Sequence, residues 1–146
     1  MVVNNLKIIH ASLNLNDPCN MAVFACTVVT FYCIARLGEF TIPNIHKRFE
    51  PAKHITHWSF SMLKDQNSLP VLKFRLPATK CKVASEDVQC APQTRCVTDP
   101  ELALQNHFCI NPAILDSHLF AWKHPRGGLH PLSKMQVMSK LADIAK

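Results

Sequence analysis

Apolar residues recur at helical spacing from the first turn of the chain. Val3, Leu6, Ile9, His10 and Leu13 fall on one side, while Asn4, Asn5 and Lys7 lie between them. This pattern predicts a short amphipathic helix over residues 2–14. Asp17-Pro18 then supplies a start signal, a carboxylate at the N-cap followed by a proline whose missing N–H costs nothing at the first helical position. Residues 21–35 are apolar on every side, and no Lys, Arg, Asp or Glu occurs from 18 to 35. A helix of that composition is expected at the centre of the molecule. It is shorter than the roughly 20 residues that cross a bilayer and carries two threonines, so the pattern predicts a buried helix and no membrane partner. Gly38 is expected to end it in a left-handed cap, with Pro43 excluding further helix.

After Pro43 the period changes. Bulky and polar residues alternate over 54–62 and again over 71–76, where Leu72, Phe74 and Leu76 share one face. Both stretches are predicted to be strands, with a third over residues 83–91, giving a small antiparallel sheet. Thr98 and Glu101 stand at capping-box spacing and open a helix through Leu102, Gln105, Phe108 and Cys109, which Asn111-Pro112 closes. Residues 119–122 read as a short strand or extended piece, and Arg126-Gly127-Gly128 as a turn. Ser133 with Gln136 makes a second capping box, and Val137, Leu141 and Ile144 lie on one face of the helix it opens. The expected fold is α+β, mainly helical with a small antiparallel three-stranded sheet, in one domain unit over residues 1–146. It has no repeat, low-complexity segment or linker.

Composition refines this picture. With 48% apolar residues the chain can bury an ordinary core, which excludes a disordered protein. Sixteen Lys and Arg against ten Asp and Glu leave a charge of +6, the balance of a protein attracted to polyanions. Seven cysteines follow a start with no secretory signal pattern and include no Cys-x-x-Cys, so reduced thiols are expected and a zinc module is not. Cys19, Cys26 and Cys33 lie two helical turns apart, too far for one metal ion, and are expected in the core. His54-x-x-His57 on a strand would point to opposite faces and makes a poor chelating pair, so no metal and no cofactor is expected.

Two basic features carry candidate chemistry. Arg36 is delivered at the end of the charge-free run and needs an anion at the edge of the core, which Glu39 or a bound phosphate could supply. Lys73, Arg75, Lys80 and Lys82 crowd one strand and its turn, with no acid among residues 73–82.

Several motifs resemble, in order, the catalytic domain of the tyrosine recombinases, the phage integrase family, in the branch carried by eukaryotic mobile elements. They are Ala35-Arg36-Leu37-Gly38-Glu39 followed by Pro43, Leu76-Pro77-Ala78-Thr79-Lys80, Ala103-Leu104-Gln105-Asn106-His107, Asn111-Pro112, Leu119-Phe120 and Pro131-Leu132-Ser133. The resemblance covers roughly residues 10–146. It implies DNA breaking and rejoining in recombination or integration, double-stranded DNA as partner, a nuclear location, and assembly of several copies on DNA. Arg36 would be the first of two arginines that clamp the scissile phosphate, with Glu39 supporting it. Lys80 would be the general acid that protonates the departing 5′ oxygen, with Lys82 as the other lysine able to reach it. Lys73, Arg75 and Lys82 would contact the DNA backbone.

The chain also departs from the family. It contains no His-x-x-Arg, and its one tyrosine, Tyr32, precedes Arg36, whereas the family's nucleophile lies towards the C-terminus. The chain is therefore expected to be the front part of such a domain, cut before its nucleophile, and a catalytically incompetent DNA-binding fragment. The alternative is a non-enzymatic basic interaction module or a decayed mobile-element reading frame.

Overall fold

The computed structural model describes residues 2–43, 48–77, 86–94 and 96–145. Element order is α1 (Val3–Ser12), α2 (Pro18–Tyr32), α3 (Leu37–Phe40), β1 (Phe60–Lys64), β2 (Pro70–Leu76), β3 (Glu86–Cys90), α4 (Pro100–Ile110), β4 (Trp122–Lys123), β5 (Leu129–His130) and α5 (Lys134–Ile144). The fold is α+β: β1, β2 and β3 form an antiparallel sheet in that order, and β4 pairs with β5 in a hairpin.

The central helix starts as its sequence requires. Asp17 Oδ2 accepts the Asn20 N–H at 3.0 Å and Pro18 occupies the first turn. Residues 21–29 are all buried. Thr27 and Thr30 fit this apolar helix because each hydroxyl donates 2.7 Å to the carbonyl four residues back, on Val23 and Cys26. Cys26 and Cys33 are buried and Cys19 half-buried. Burial pushes the Cys26 thiol up to about 12. Helix α4 is the main neighbour of α2, and α1 adds Leu6 and Ile9 to the shared core.

The end of α2 corrects the expectation for Gly38. The helix stops at Tyr32, and the left-handed residue is Ile34, with φ 53. Cys33 N–H donates to Val29 O at 2.9 Å, and Ala35 N–H reaches Thr30 O at 3.1 Å. Gly38 lies inside α3 instead. This early turn folds the chain back so that Phe40 is fully buried, 5.4 Å from Phe74 and 6.1 Å from Phe120 between ring centroids.

The strand expected over 54–62 begins only at Phe60, after a 3-10 turn at His57–Ser59. The residues before it pair elsewhere. His57 N–H donates to Ser117 O at 3.1 Å, Trp58 N–H to Leu115 O at 3.1 Å, and Leu119 N–H to Ile55 O at 3.2 Å. The alternation at 54–58 thus reflects contact with the segment before β4. In the sheet, Leu72, Phe74 and Leu76 are buried as expected, and β3 runs over Glu86–Cys90, residues 83–85 of the expected strand lying outside the described residues.

Helix α4 is capped by Asp99, one residue later than expected. Its Oδ1 accepts the N–H of Glu101 at 3.2 Å and of Gln93 at 2.8 Å. Thr98 is buried, with its hydroxyl 2.9 Å from Cys96 Sγ and 3.3 Å from the Tyr32 hydroxyl. A carboxylate caps as well as a hydroxyl, so the order of Thr98 and Asp99 alone did not decide between them. The second capping box forms as the spacing predicts: Gln136 N–H donates to Ser133 Oγ at 3.1 Å and Ser133 N–H to Gln136 Oε1 at 2.9 Å.

Candidate nucleic-acid interface

Arg36 sits directly after the left-handed turn and immediately before α3, at the end of the most buried helix. It is exposed. Its backbone N–H donates to Glu39 Oε1 at 2.9 Å, so the carboxylate caps α3. Among the described residues no acid pairs with its guanidinium. Glu39 therefore positions the Arg36 backbone and leaves the planar fork open, the form in which arginine holds two oxygens of one phosphate.

Beside it lies an apolar groove of about 320 Å³, lined in part by Phe31, Ile34, Ala35, Leu37, Val137 and Leu141. The groove brings α5 alongside the Arg36 turn. Two backbone bonds join the same elements: Ile42 N–H donates to Leu132 O at 3.1 Å and Lys134 N–H to Ile42 O at 2.7 Å. The start of α5 is thereby tied to the segment that leaves α3.

Lys73 and Arg75 lie on one face of β2, opposite the face that buries Leu72 and Phe74. Their surroundings differ from what the local sequence suggests. The register sets Asp87 of β3 across from Arg75. Arg75 Nε donates to Asp87 Oδ1 at 3.1 Å, and Lys73 Nζ stands 3.2 Å from Oδ2. Hydrogen bonding from Arg75 first, then Lys73, holds the Asp87 carboxyl below its ordinary value. Lys80 and Lys82 lie outside the described residues.

A second group of cations was not singled out by sequence pattern. Residues 117–142 contain Lys123, Arg126, Lys134 and Lys140 and no acid. Lys123, Arg126 and Lys134 are exposed, on β4, on the β4–β5 turn and on the first turn of α5. None of the three has an acidic partner among the described residues. The absence of acid over this stretch was the available signal; its dispersion between a hairpin and a helix hid it.

The hairpin that carries Lys123 and Arg126 is held firmly. His124 N–H donates to Gly128 O at 3.0 Å and Gly127 N–H to His124 O at 2.9 Å, closing a turn in which both glycines take positive φ, 99 and 77. The His124 and His130 rings stack at 4.2 Å, and the buried Trp122 ring lies 5.3 and 5.6 Å from them.

Asn111 anchors this hairpin to the helices. Its Oδ1 accepts the Lys123 N–H at 2.9 Å, while Nδ2 donates to Pro18 O at 3.1 Å and to His107 Nδ1 at 3.2 Å. His107 then donates from Nε2 to Leu119 O at 3.0 Å. Burial pushes His107 down to about 4, which keeps the neutral tautomer these bonds require. His118 is likewise buried, accepts the Leu132 N–H at 3.4 Å on Nδ1, and is pushed down to about 3. His54 Nδ1 accepts the Glu50 N–H at 2.9 Å. Among the described residues no group of three or more His, Cys, Asp or Glu is arranged to hold a metal ion, and no helix is long and apolar enough to cross a membrane.

Comparison with known proteins gives a likeness of fold. No protein-family model and no curated protein matches the chain. Among solved structures it is similar to a chain of the "FLP Recombinase-Holliday Junction Complex I", with a TM-score of 0.59 over 97% of this chain at 13% identity. FLP is a tyrosine recombinase. The match covers 32% of that chain, so the present chain spans about a third of its length. The fold is thus recombinase-like.

Proposed function

We propose that this chain is the front part of a tyrosine-recombinase catalytic domain that holds the phosphate backbone of double-stranded DNA and does not itself break strands. The observation that carries this reading is the open guanidinium of Arg36, set at the end of the central helix by the Ile34 turn and the Glu39 cap, on a recombinase-like fold. An arginine so placed can clamp a phosphodiester. Lys80, by its place in the Leu-Pro-x-Thr-Lys motif, is the proposed proton donor to a leaving 5′ oxygen, with Lys82 the other lysine able to take that role. Tyr32 does not serve as nucleophile: it belongs to α2 and its hydroxyl is bonded to the buried Thr98. Residues 1–146 thus combine a charge clamp with no attacking group, which does not split DNA by a phosphotyrosyl route. The parent activity in this reading is recombination or integration by a mobile element, in the nucleus, with several copies assembling on DNA.

Two measurements test it. Titration of a labelled duplex across a salt series should show affinity falling steeply with salt, and Arg36→Ala should lower the slope by about 1, one phosphate contact. No duplex binding at low salt refutes the reading. A suicide substrate that traps a covalent protein–DNA adduct refutes the claim of inactivity. If Arg36→Ala leaves the slope unchanged while the duplex still binds, the chain is a basic interaction module with no clamp, a reading favoured by Lys123, Arg126 and Lys134, which have no acidic partner among the described residues.

A further inference from the structure

We infer that Lys123, Arg126 and Lys134, on the β4–β5 hairpin and the first turn of α5, form the main surface on which the DNA backbone lies, in place of the basic strand β2. The inference rests on the DNA-binding reading above and identifies the surface that serves it.

Charge pairing separates the two candidate surfaces. On β2, Lys73 and Arg75 share the Asp87 carboxylate at 3.2 and 3.1 Å, so among the described residues these two cations and one anion leave a single net charge. A phosphate arriving there competes with a carboxylate already in place and is repelled by it. On the hairpin and the first turn of α5, three exposed cations have no acidic partner among the described residues; Asp143 lies in the last turn of α5, and Asp116, which borders a groove with Leu129 and Pro131, makes no ion pair with any of the three. Each can exchange its counterions for a phosphate without first breaking an ion pair.

Rigidity points the same way. Ordering a long cationic side chain against DNA costs entropy, and a mobile backbone adds to that cost. The Trp122, His124 and His130 rings and the Asn111 bond to the Lys123 N–H hold the hairpin. The Ser133–Gln136 capping box and the Lys134 N–H bond to Ile42 O hold the start of α5. Because Ile42 follows α3 closely, Lys134 belongs to the same packed unit as Arg36. Lys134 is therefore fixed relative to the proposed phosphate clamp.

The test is a salt series of duplex binding by the whole chain, read by fluorescence anisotropy. K123A/R126A/K134A should lower the slope of log affinity against log salt by about 2–3, near 0.9 for each phosphate no longer neutralised. K73A/R75A should lower it by less. The charge-keeping variant K123R/R126K/K134R should retain the wild-type slope, and circular dichroism checks that each variant is folded. Should the triple alanine variant not fold, K123A and K134A made singly at exposed sites should each lower the slope by about 1. Wild-type protein that binds no duplex overturns the DNA reading itself. Wild-type protein that binds, with a folded alanine variant that keeps its slope, overturns this surface alone. Binding of polyglutamate as tight as that of the duplex overturns DNA as the occupant.

Discussion

Arg75 and Asp87 face each other across the β2–β3 register, and Arg75 Nε donates to Asp87 Oδ1 at 3.1 Å. Lys73 reaches the other oxygen of the same carboxylate at 3.2 Å. A strand that reads as purely basic therefore presents an ion-pair cluster. Such exposed pairs add little stability, but they decide where a polyanion can bind.

Asp87→Asn should release both cations. The variant is expected to bind duplex DNA more tightly at low salt and with a steeper salt dependence, by up to about 2 in slope. Anisotropy titration of wild type and variant side by side checks this, and a slope no steeper than wild type would show that β2 does not face DNA even when its charges are free.

The buried histidines should make the protein acid-labile. Burial lowers His107 to about 4 and His118 to about 3, from an ordinary value of 6.5. Between those values the unfolded chain binds protons that the folded chain refuses. Stability is thus complete above about pH 6.5 and falls as pH drops through that window. His107 alone accounts for a loss on the order of 3 kcal/mol once pH has fallen through its folded value of about 4. Urea midpoints measured from neutral to acid pH should decline steadily; a midpoint constant down to about pH 4.5 would contradict the neutral, buried state of both rings.

Asn111→Ala should be among the most damaging single changes outside the apolar core. It removes three hydrogen bonds and leaves Pro18 O, His107 Nδ1 and Lys123 N–H without their partner. The His107 bond is buried and the other two are part-buried, so with about 1–3 kcal/mol for a buried group left unsatisfied a loss of about 2 kcal/mol or more is expected in chemical denaturation. Asn111→Asp keeps the acceptor for Lys123 N–H and loses both donors, so it should not restore stability.

Ile34→Gly should stabilise the fold by about 1 kcal/mol, because a β-branched residue is strained in the left-handed region. At φ 53 and 94% exposure, Ile34 combines that strain with almost no burial to lose. Thermal unfolding of the two proteins compares them directly. A lower midpoint for the glycine variant would mean that the turn before Arg36 is set by the isoleucine side chain.

Local signals were readable wherever the partner of a residue lay within a few positions. Asp17-Pro18, the Ser133–Gln136 box, the Asn111 stop and the buried face of Leu72, Phe74 and Leu76 all formed as the order of residues predicts. The misreadings arose where a remote segment competed. Residues 54–58 alternate like a strand, yet the backbone groups of Ile55, His57 and Trp58 are taken by 115–119. Gly38 is the better left-handed residue by intrinsic preference, yet the chain turns at Ile34 because Phe40 must reach Phe74 and Phe120.

The order of residues is enough to set the central helix, the three-stranded sheet, the two capped helices that follow and the place of Arg36 at the edge of an uncharged run. Each of these follows from periodicity, capping and the cost of burying charge, which act over a few residues. Which cations remain free is settled only when the chain is folded. Asp87 is twelve residues from Arg75 along the chain and meets it through strand register. Asn111 and the stacked rings fix the hairpin that carries Lys123 and Arg126, and the bonds to Ile42 fix the start of α5 that carries Lys134. Electrostatic pairing depends on distance in space, and a linear pattern carries that distance only for neighbours.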